Sequence, residues 1–515
     1  MADPQEKVLI LDFGSQYAQL IARRVRELKV FSKIVPHNVS AEEIAKESPK
    51  GIILSGGPAS VWAQGAPKPD RQLFDLSIPT LGICYGMQLM GQMLSGEVSK
   101  AVHREFGRAE LEVDDPDSLF DQLPNRLVCW MSHGDYVTKL PPGFKTIAHT
   151  DNAPIAAMAN PAVKKFGVQF HPEVAHTPQG SEILKNFLFK VCGCRGSWTP
   201  QSFIDTTVAE IQETVGDSRV VLGLSGGVDS SVTALLLYRA IGEKLIPIFV
   251  ETGLLRKAER AQVAETFQGH FHLPLVVVEG QHRFLQRLRG IEDPEEKRKR
   301  IGRLFVECFE EEARKHPDVQ FLAQGTLYPD VIESLSPCGG PSSTIKTHHN
   351  VGGLPEKMNL RLIEPLKFLF KDEVREIGRV FGLPEKVLNR HPFPGPGLAV
   401  RILGEVTPER VALLQEADHR FVDELERSGW YEKVWQAFVV LLPLKSVGVM
   451  GDERTYENVA ALRAVVSQDG MTADWARLPA DVIERVSNRI VNEVRGINRV
   501  VYDVTSKPPG TIEWE

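Results

Sequence analysis

The stretch Arg219-Val220-Val221-Leu222-Gly223-Leu224-Ser225-Gly226-Gly227-Val228-Asp229-Ser230-Ser231 limits the fold more than any other part of the chain. Its Val- and Leu-rich start predicts a buried strand. The strand breaks at a glycine pair flanked by hydroxyls. Ser230 to Gly242 then predicts a helix with Val232, Leu235 and Leu236 on its apolar face. Strand, glycine turn and helix N-terminus together build an anion site: turn N–H groups point inward and the helix dipole adds partial positive charge. Ser225, Ser230 and Ser231 add hydroxyl donors. Asp229 would repel an anion unless a cation lies between them, so it reads as a magnesium ligand; the alternative is a helix N-cap. The loop is not a Walker A motif, because no lysine follows the glycines and GxxxxGK[ST] is absent from the chain.

The string Ser225 to Ser231 resembles the pyrophosphate loop of the ATP pyrophosphatases, which cleave ATP to AMP and pyrophosphate. The resemblance implies ATP binding by Ser225, Gly226, Gly227, Val228, Asp229, Ser230 and Ser231. It also implies Mg2+ on Asp229, with ATP, and no organic prosthetic group.

A chain of 515 residues suggests three domains at ~150 residues each. A net charge of −7 argues against a nucleic-acid binder. No apolar run approaches the ~20 residues of a membrane span, and the first residues lack the basic and apolar regions of a signal peptide. Six cysteines in a chain this long do not form a disulfide framework, so the expected compartment is the cytoplasm. Cys192-Gly193-Cys194 is half a metal site with no second Cys/His pair nearby.

From the N-terminus, strands are expected at Lys7 to Phe13, Phe31 to Pro36 and Gly51 to Leu54. Helices are expected from Ser15, as cap, through Leu28 and at Ala41 to Lys46. This alternation predicts a parallel, doubly wound sheet with ligands at the carboxyl ends of its strands. Two loops sit there, Ser55-Gly56-Gly57-Pro58 and Gly82-Ile83-Cys84-Tyr85-Gly86. The second follows the strand Thr80 to Ile83 and precedes a helix from Met87 to Leu94. It is the cysteine form of a nucleophile elbow. Glycines on both sides permit the turn, which lifts Cys84 out of the sheet toward a helix N-terminus, where a thiolate is favoured. The strand Lys165 to Phe170 ends in His171-Pro172-Glu173. Residues two apart on a strand share a face, so Glu173 is expected to orient His171 as the base for Cys84. His133 is the rival base, but only His171 has an acid two residues on.

The first ~195 residues, with these two loops and Gln169-Phe170-His171-Pro172-Glu173, resemble a class I glutamine amidotransferase. The resemblance implies a Cys84, His171 and Glu173 triad, a glutamyl thioester, and an oxyanion hole from the N–H groups of Gly57 and Tyr85. It places this domain at residues 1–197, ahead of a linker at Gly193 to Pro200.

A second α/β domain, residues 198–390, carries a helix at Phe203 to Val215 and strands at Lys244 to Val250, Leu275 to Val278 and Gln320 to Ala323. The basic run Lys297-Arg298-Lys299-Arg300, beside Glu295 and Glu296, reads as a solvated helix face. The segment with Asp330 and Glu333 leads into a Gly/Ser/Thr/Pro-rich stretch with Lys346, Thr347, His348, His349 and Asn350. It reads as an active-site lid that grips developing negative charge. A helix at Lys371 to Phe381 follows, then a proline- and glycine-rich stiff hinge at His391 to Leu398.

Residues 391–515 read as a small α+β domain. Strands are expected at Leu398 to Leu403, Ala437 to Leu442 and Arg499 to Asp503, with helices at Thr407 to Ser428 and Pro479 to Val494. Its exposed sheet surface favours dimerisation. The tail Lys507 to Glu515 is too rigid and apolar to fray.

End to end, the chain resembles the shorter, bacterial-type glutamine-hydrolysing GMP synthetases. The resemblance rests on the domain order, the string Ile345 to Gly353, His391 to Leu398 and the Lys507 to Glu515 tail. It implies glutamine, ATP and XMP as substrates and a homodimer through the third domain. It places XMP against Arg401, Lys507, Thr511, Ile512 and Glu513. The fold class is therefore α/β: two doubly wound parallel-sheet domains plus a small α+β domain. The alternative function is another amidating pyrophosphatase such as a glutamine-dependent NAD synthetase, whose glutaminase usually lacks the G-x-C-x-G elbow.

Overall fold

Short Val/Ile/Leu runs with no polar alternation must be buried on both faces, which a parallel sheet covered by helices achieves. The computed structural model describes residues 6–15, 17–334, 360–450, 453–467, 470 and 472–515. They form two compact units: residues up to Thr206 together with the short helix Tyr328–Ser334, and the remainder from Thr207.

The first unit holds strands β1 (Lys7–Asp12), β2 (Phe31–Pro36), β3 (Gly51–Leu54), β4 (Thr80–Ile83), β5 (Glu97–Val113), β6 (Arg126–Lys139), β7 (Lys145–His149), β8 (Ala157–Asn160) and β9 (Lys165–Val168). Their order is β2-β1-β3-β4-β9-β8-β7-β5-β6. The β2-β1-β3-β4-β9 half is parallel, as expected. The sheet then continues through antiparallel β8, β7, β5 and β6, which the sequence reading left unassigned. Ser40 caps the helix Ala41–Glu47 by accepting from the Glu43 N–H at 3.2 Å, while the Glu43 carboxylate accepts from the Ser40 N–H at 3.1 Å. Ser15 does not cap a helix directly. The helix begins at Ala18, and the Ser15 hydroxyl instead accepts from the Tyr17 N–H at 3.0 Å in the turn before it.

In the second unit, β10 (Arg219–Gly223), β11 (Leu245–Glu251), β12 (Val276–Glu279), β13 (Val319–Ala323) and β14 (Arg361–Ile363) form an all-parallel sheet in the order β12-β11-β10-β13-β14. A second sheet holds β15 (Gln436–Met450), β16 (Glu453–Val466), β17 (Asp474–Trp475) and β18 (Ile497–Tyr502), with β16 antiparallel to β15 along most of its length and parallel to β18 at Asn458–Leu462. Helices Pro408–Arg427 and Ala480–Glu493 pack on it. One apolar core joins both sheets, from Leu254, Phe284 and Leu304 to Leu398, Leu414, Phe421, Val439 and Leu462.

His391 to Leu398 lies within that seam and is not a free hinge. His391 is buried, stacked on Tyr431 with ring centroids 3.8 Å apart, and burial lowers its pKa to about 4. Gly397 has φ +64°, and a Cβ there would meet the Leu254 carbonyl oxygen at 2.3 Å. The strand expected at Leu398 to Leu403 is replaced by a 3-10 helix, Gly397–Arg401, because the chain turns left-handed at that glycine.

The basic run needs a second correction. Lys297 is fully buried on the helix Pro294–Ala313. Its Nζ donates to the Ile402 carbonyl at 2.7 Å and to the Glu515 carboxylate at 2.6 Å. Arg298 donates to the backbone oxygen of Glu515. Burial lowers the Lys297 pKa and raises that of Glu515. Lys297→Met alone leaves a buried carboxylate unpaired and is expected to cost about 3–5 kcal/mol, read as a lower urea midpoint for the second unit. Lys297→Met with Glu515→Gln should recover most of that loss; equal loss in both would show that the pair is not what holds the segment.

Candidate active site

Cys84 joins β4 to the helix Tyr85–Met93 with φ 51° and ψ −105°. A non-glycine residue held there costs ~1–3 kcal/mol. The surroundings fix it: its N–H donates to the Val168 carbonyl at 2.8 Å, and the Gly86 N–H donates to the Ser55 carbonyl at 3.1 Å. The flanking glycines serve close packing, not the turn itself. A Cβ on Gly82 would lie 2.6 Å from the Gly86 carbonyl, and one on Gly86 would lie 2.4 Å from the Leu54 carbonyl oxygen.

His171 Nδ1 lies 2.7 Å from Glu173 Oε1, with both side chains buried. β9 ends at Val168, so this pairing comes from the loop beyond the strand and not from strand alternation. With Nδ1 committed to the carboxylate, the other ring nitrogen is left to exchange a proton with a thiol. Burial pulls the His171 pKa down, but hydrogen bonds to Cys84 and Glu173 and their negative charges outweigh it, raising it to about 10. The rival imidazole of His133 is buried 3.4 Å from Glu105 Oε2. From that strand it is the Ser132 carbonyl that reaches Cys84, accepting from Sγ at 3.6 Å.

Gly57 and Tyr85 are brought together beside this group. A Cβ on Gly57 would sit 3.2 Å from Tyr85 Cδ1, and one on Gly56 would sit 3.1 Å from His171 Cε1. Tyr85 opens its helix, so its N–H has no intrahelical acceptor. Sequence reading missed Gln169, which is fully buried with Nε2 3.7 Å from Cys84 Sγ. An amide inside the apolar run Phe166 to Phe170 was the available signal.

In the second unit the loop from Ser225 to Ser231 joins β10 to the helix Val228–Ile241. Gly226 has φ +73°, and a Cβ there would meet Val263 at 2.7 Å. The hydroxyls are engaged with the loop itself: Ser225 Oγ lies 3.0 Å from Ser230 Oγ, and Ser231 Oγ donates to the Gly227 carbonyl at 2.7 Å. The helix N-cap is Gly227, so Asp229 does not cap. Asp229 Oδ2 pairs with Lys371 Nζ at 2.5 Å, while Oδ1 is buried with no partner. A buried carboxylate oxygen without a partner is a group a divalent cation would satisfy. Sequence reading did not anticipate the Lys371–Asp229 pair, because the partners are 142 positions apart.

Of the expected lid, Asp330 lies on the helix Tyr328–Ser334. The Glu333 side chain and Lys346, Thr347, His348, His349 and Asn350 lie outside the described residues.

The tail is tied by two fully buried arginines. Arg401 meets Glu513 through both carboxylate oxygens, at 2.8 and 3.1 Å, and Gln436 Nε2 donates to Glu513 at 2.7 Å. Arg401 Nη1 is a buried donor with no partner. Arg463 donates to the carbonyls of Thr505, Thr511 and Ile512 and pairs with Asp503 at 3.2 Å. Ile512 packs on Phe438 and Val440. Lys507 Nζ donates to the Gly470 carbonyl at 2.8 Å. Arg401, Thr511, Ile512 and Glu513 thus share one neighbourhood; Lys507 reaches the strand region near Ala473.

The class-I glutamine amidotransferase family matches residues 9–191, the NAD synthase family residues 201–279, and the GMP synthase C terminal domain residues 423–514. The glutamine-hydrolyzing GMP synthase of Carboxydothermus hydrogenoformans is 58% identical over 509 residues, 99% of each chain. Those of Aquifex aeolicus and Caldanaerobacter subterraneus are each 56% identical, over 508 and 515 residues, covering 99% and 100% of both chains. The NAD synthase match spans residues 201–279 alone, which include the loop Ser225 to Ser231, whereas these relatives align from end to end. The chain belongs to the family of glutamine-hydrolysing GMP synthases.

Proposed function

We propose that this chain is a C–N ligase that aminates XMP to GMP. ATP adenylates the C2 oxygen of XMP, releasing pyrophosphate. Ammonia from glutamine displaces AMP from the adenylated base, and glutamate leaves as the second product. The observation that carries this reading is the coexistence on one chain of a buried thiol–imidazole–carboxylate set and an anion loop with a bare carboxylate oxygen. One suits ammonia release and the other suits ATP cleavage. The same reasoning assigns residues 1–197 to the glutaminase, 198–390 to ATP cleavage and 391–515 to XMP binding and pairing of two copies.

Cys84 is the nucleophile, His171 its base and Glu173 the group that orients the base. Gly57 and Tyr85 N–H groups face the oxyanion. Ser225 to Ser231 cradle the ATP phosphates. Asp229 would hold Mg2+, which when bound neutralises phosphate charge, with Lys371 beside it as a second cation source. Asp330, Glu333, Lys346, Thr347, His348, His349 and Asn350 form the lid over that site. Glu513, oriented by Arg401 and Gln436, keeps one acceptor site, on Oε2, for an N–H group of the base. Lys507, Thr511 and Ile512 complete the XMP site. Exposed Val447, Val449 and Tyr456 on the β15–β16 pair suit a homodimer face. Among the described residues no helix is long and apolar enough to cross a membrane, in keeping with a cytoplasmic enzyme.

Cys84→Ala should cut glutamine-dependent synthesis on the order of 10⁴-fold while synthesis from ammonium salts persists. Equal loss of both would overturn the division of labour. Asp229→Asn should lower AMP formation about 100-fold or more with either nitrogen source; near-normal turnover would remove the metal assignment. Glu513→Ala should weaken XMP binding about 10- to 100-fold by titration, with glutamine hydrolysis at Cys84 still competent. An unchanged XMP affinity would make the tail structural.

A further inference from the structure

We infer that Gln169 donates a side-chain N–H to the Cys84 sulfur and favours and aims its anionic form, a role that rests on Cys84 being the nucleophile. Gln169 lies just past the end of β9, and its own N–H donates to the Ala156 carbonyl at 2.8 Å. Its carboxamide bridges two groups: Nε2 is 3.7 Å from Cys84 Sγ, and Oε1 is 3.4 Å from Gln88 Nε2. Gln88 is buried on the helix that begins beside Cys84, and its Nε2 is 2.7 Å from the Asp135 carbonyl oxygen.

The direction of this relay is fixed from its far end. A backbone carbonyl only accepts, so the Gln88 atom facing Asp135 must be the NH2 group. The other hydrogen of that NH2 points to Gln169, so the facing Gln169 atom must be oxygen. The Gln169 NH2 is then the end left at the sulfur. Reversing either amide would set two donors or two acceptors against each other between buried side chains. Asp135 is held in turn by the Ser60 hydroxyl, which donates to its carboxylate.

The sulfur needs such a donor. As a thiol, Cys84 can donate to the Ser132 carbonyl. Once its proton passes to His171, that carbonyl oxygen faces an anion and repels it. His171, backed by Glu173, is the titratable group that meets the sulfur from the loop after β9. Among the described residues, β6 brings the Ser132 carbonyl to the sulfur, while its His133 lies against Glu105 and its Asp135 accepts from Ser60. On the helix Tyr85–Met93 the Tyr85 hydroxyl donates to the Pro67 carbonyl, and Gln88 reaches the sulfur only through Gln169. The Gln169 N–H offsets the carbonyl, since a hydrogen bond to an ionised partner is about twice as strong as a neutral one.

The test uses the full-length protein. Gln169→Glu keeps size and shape but replaces the NH2 with an oxygen; Gln169→Leu removes both polar atoms. Alkylation of Cys84 by iodoacetamide is followed by peptide mass spectrometry from about pH 5 to about pH 9. Both variants should alkylate about 10-fold more slowly near neutrality, with the profile moved to higher pH. The kcat for glutamine hydrolysis should fall about 10- to 100-fold with KM little changed, the pattern of a group that acts on the reacting atom. If Gln169→Leu does not fold, the isosteric glutamate variant still decides. A wild-type alkylation profile and kcat in Gln169→Glu, with Cys84→Ala inactive on glutamine, overturns the donor role alone. Glutamine hydrolysis surviving in Cys84→Ala overturns the nucleophile and the donor role together.

Discussion

The close approach of one helix to one strand governs the first site. Helix Tyr85–Met93 can sit on β4 and β3 only because Gly82 and Gly86 lack Cβ atoms, and that contact forces the connecting residue into an unfavourable backbone conformation. Cys84 bears it. The strain is small against the packing of Met87, Leu89 and Met90 into the core behind. The sulfur of Cys84, the proposed nucleophile, is therefore positioned by the same contacts that bury the helix.

Buried cations play the corresponding part in the second unit. Arg401, Arg463 and Lys297 are all fully buried, and each meets the C-terminal segment. A buried charge without a partner is costly, so each cation makes the segment's place in the fold a condition of stability. Ordering the tail in this way prepays entropy that a ligand would otherwise have to offset on binding.

Much of this was legible in the chain. The parallel strands, both glycine loops and the Cys84, His171 and Glu173 grouping could be read because each depends on short-range spacing. What escaped depends on partners far away in sequence. Lys371 meets Asp229 only once β10 and the helix Lys371–Val380 are packed, and Gln169 meets Gln88 only across the sheet. Lys297 was misread although a signal existed. It stands four, seven and eleven residues before Ile301, Leu304 and Cys308, all buried, so it belongs to the apolar stripe of its helix and not to the charged face. Glu173 does lie beside His171, but in the loop past β9 and not through strand alternation. The strand expected at Leu398 failed because an apolar run reads the same for a strand and a buried 3-10 turn.

The two sites share strand, turn and helix N-terminus, yet they put the positive φ on opposite kinds of residue. At the second site it falls on Gly226, where a Cβ would strike Val263. If backbone N–H groups meet an anion there, as proposed, a side chain at the turn would block its approach. At the first site it falls on Cys84, at a cost a glycine would avoid. With Cys84 as the proposed nucleophile that cost is necessary, because a sulfur must be carried on a Cβ, which no glycine has. Where the backbone itself does the binding the turn sheds its side chain; where the side chain does the chemistry the turn keeps it and accepts the strain.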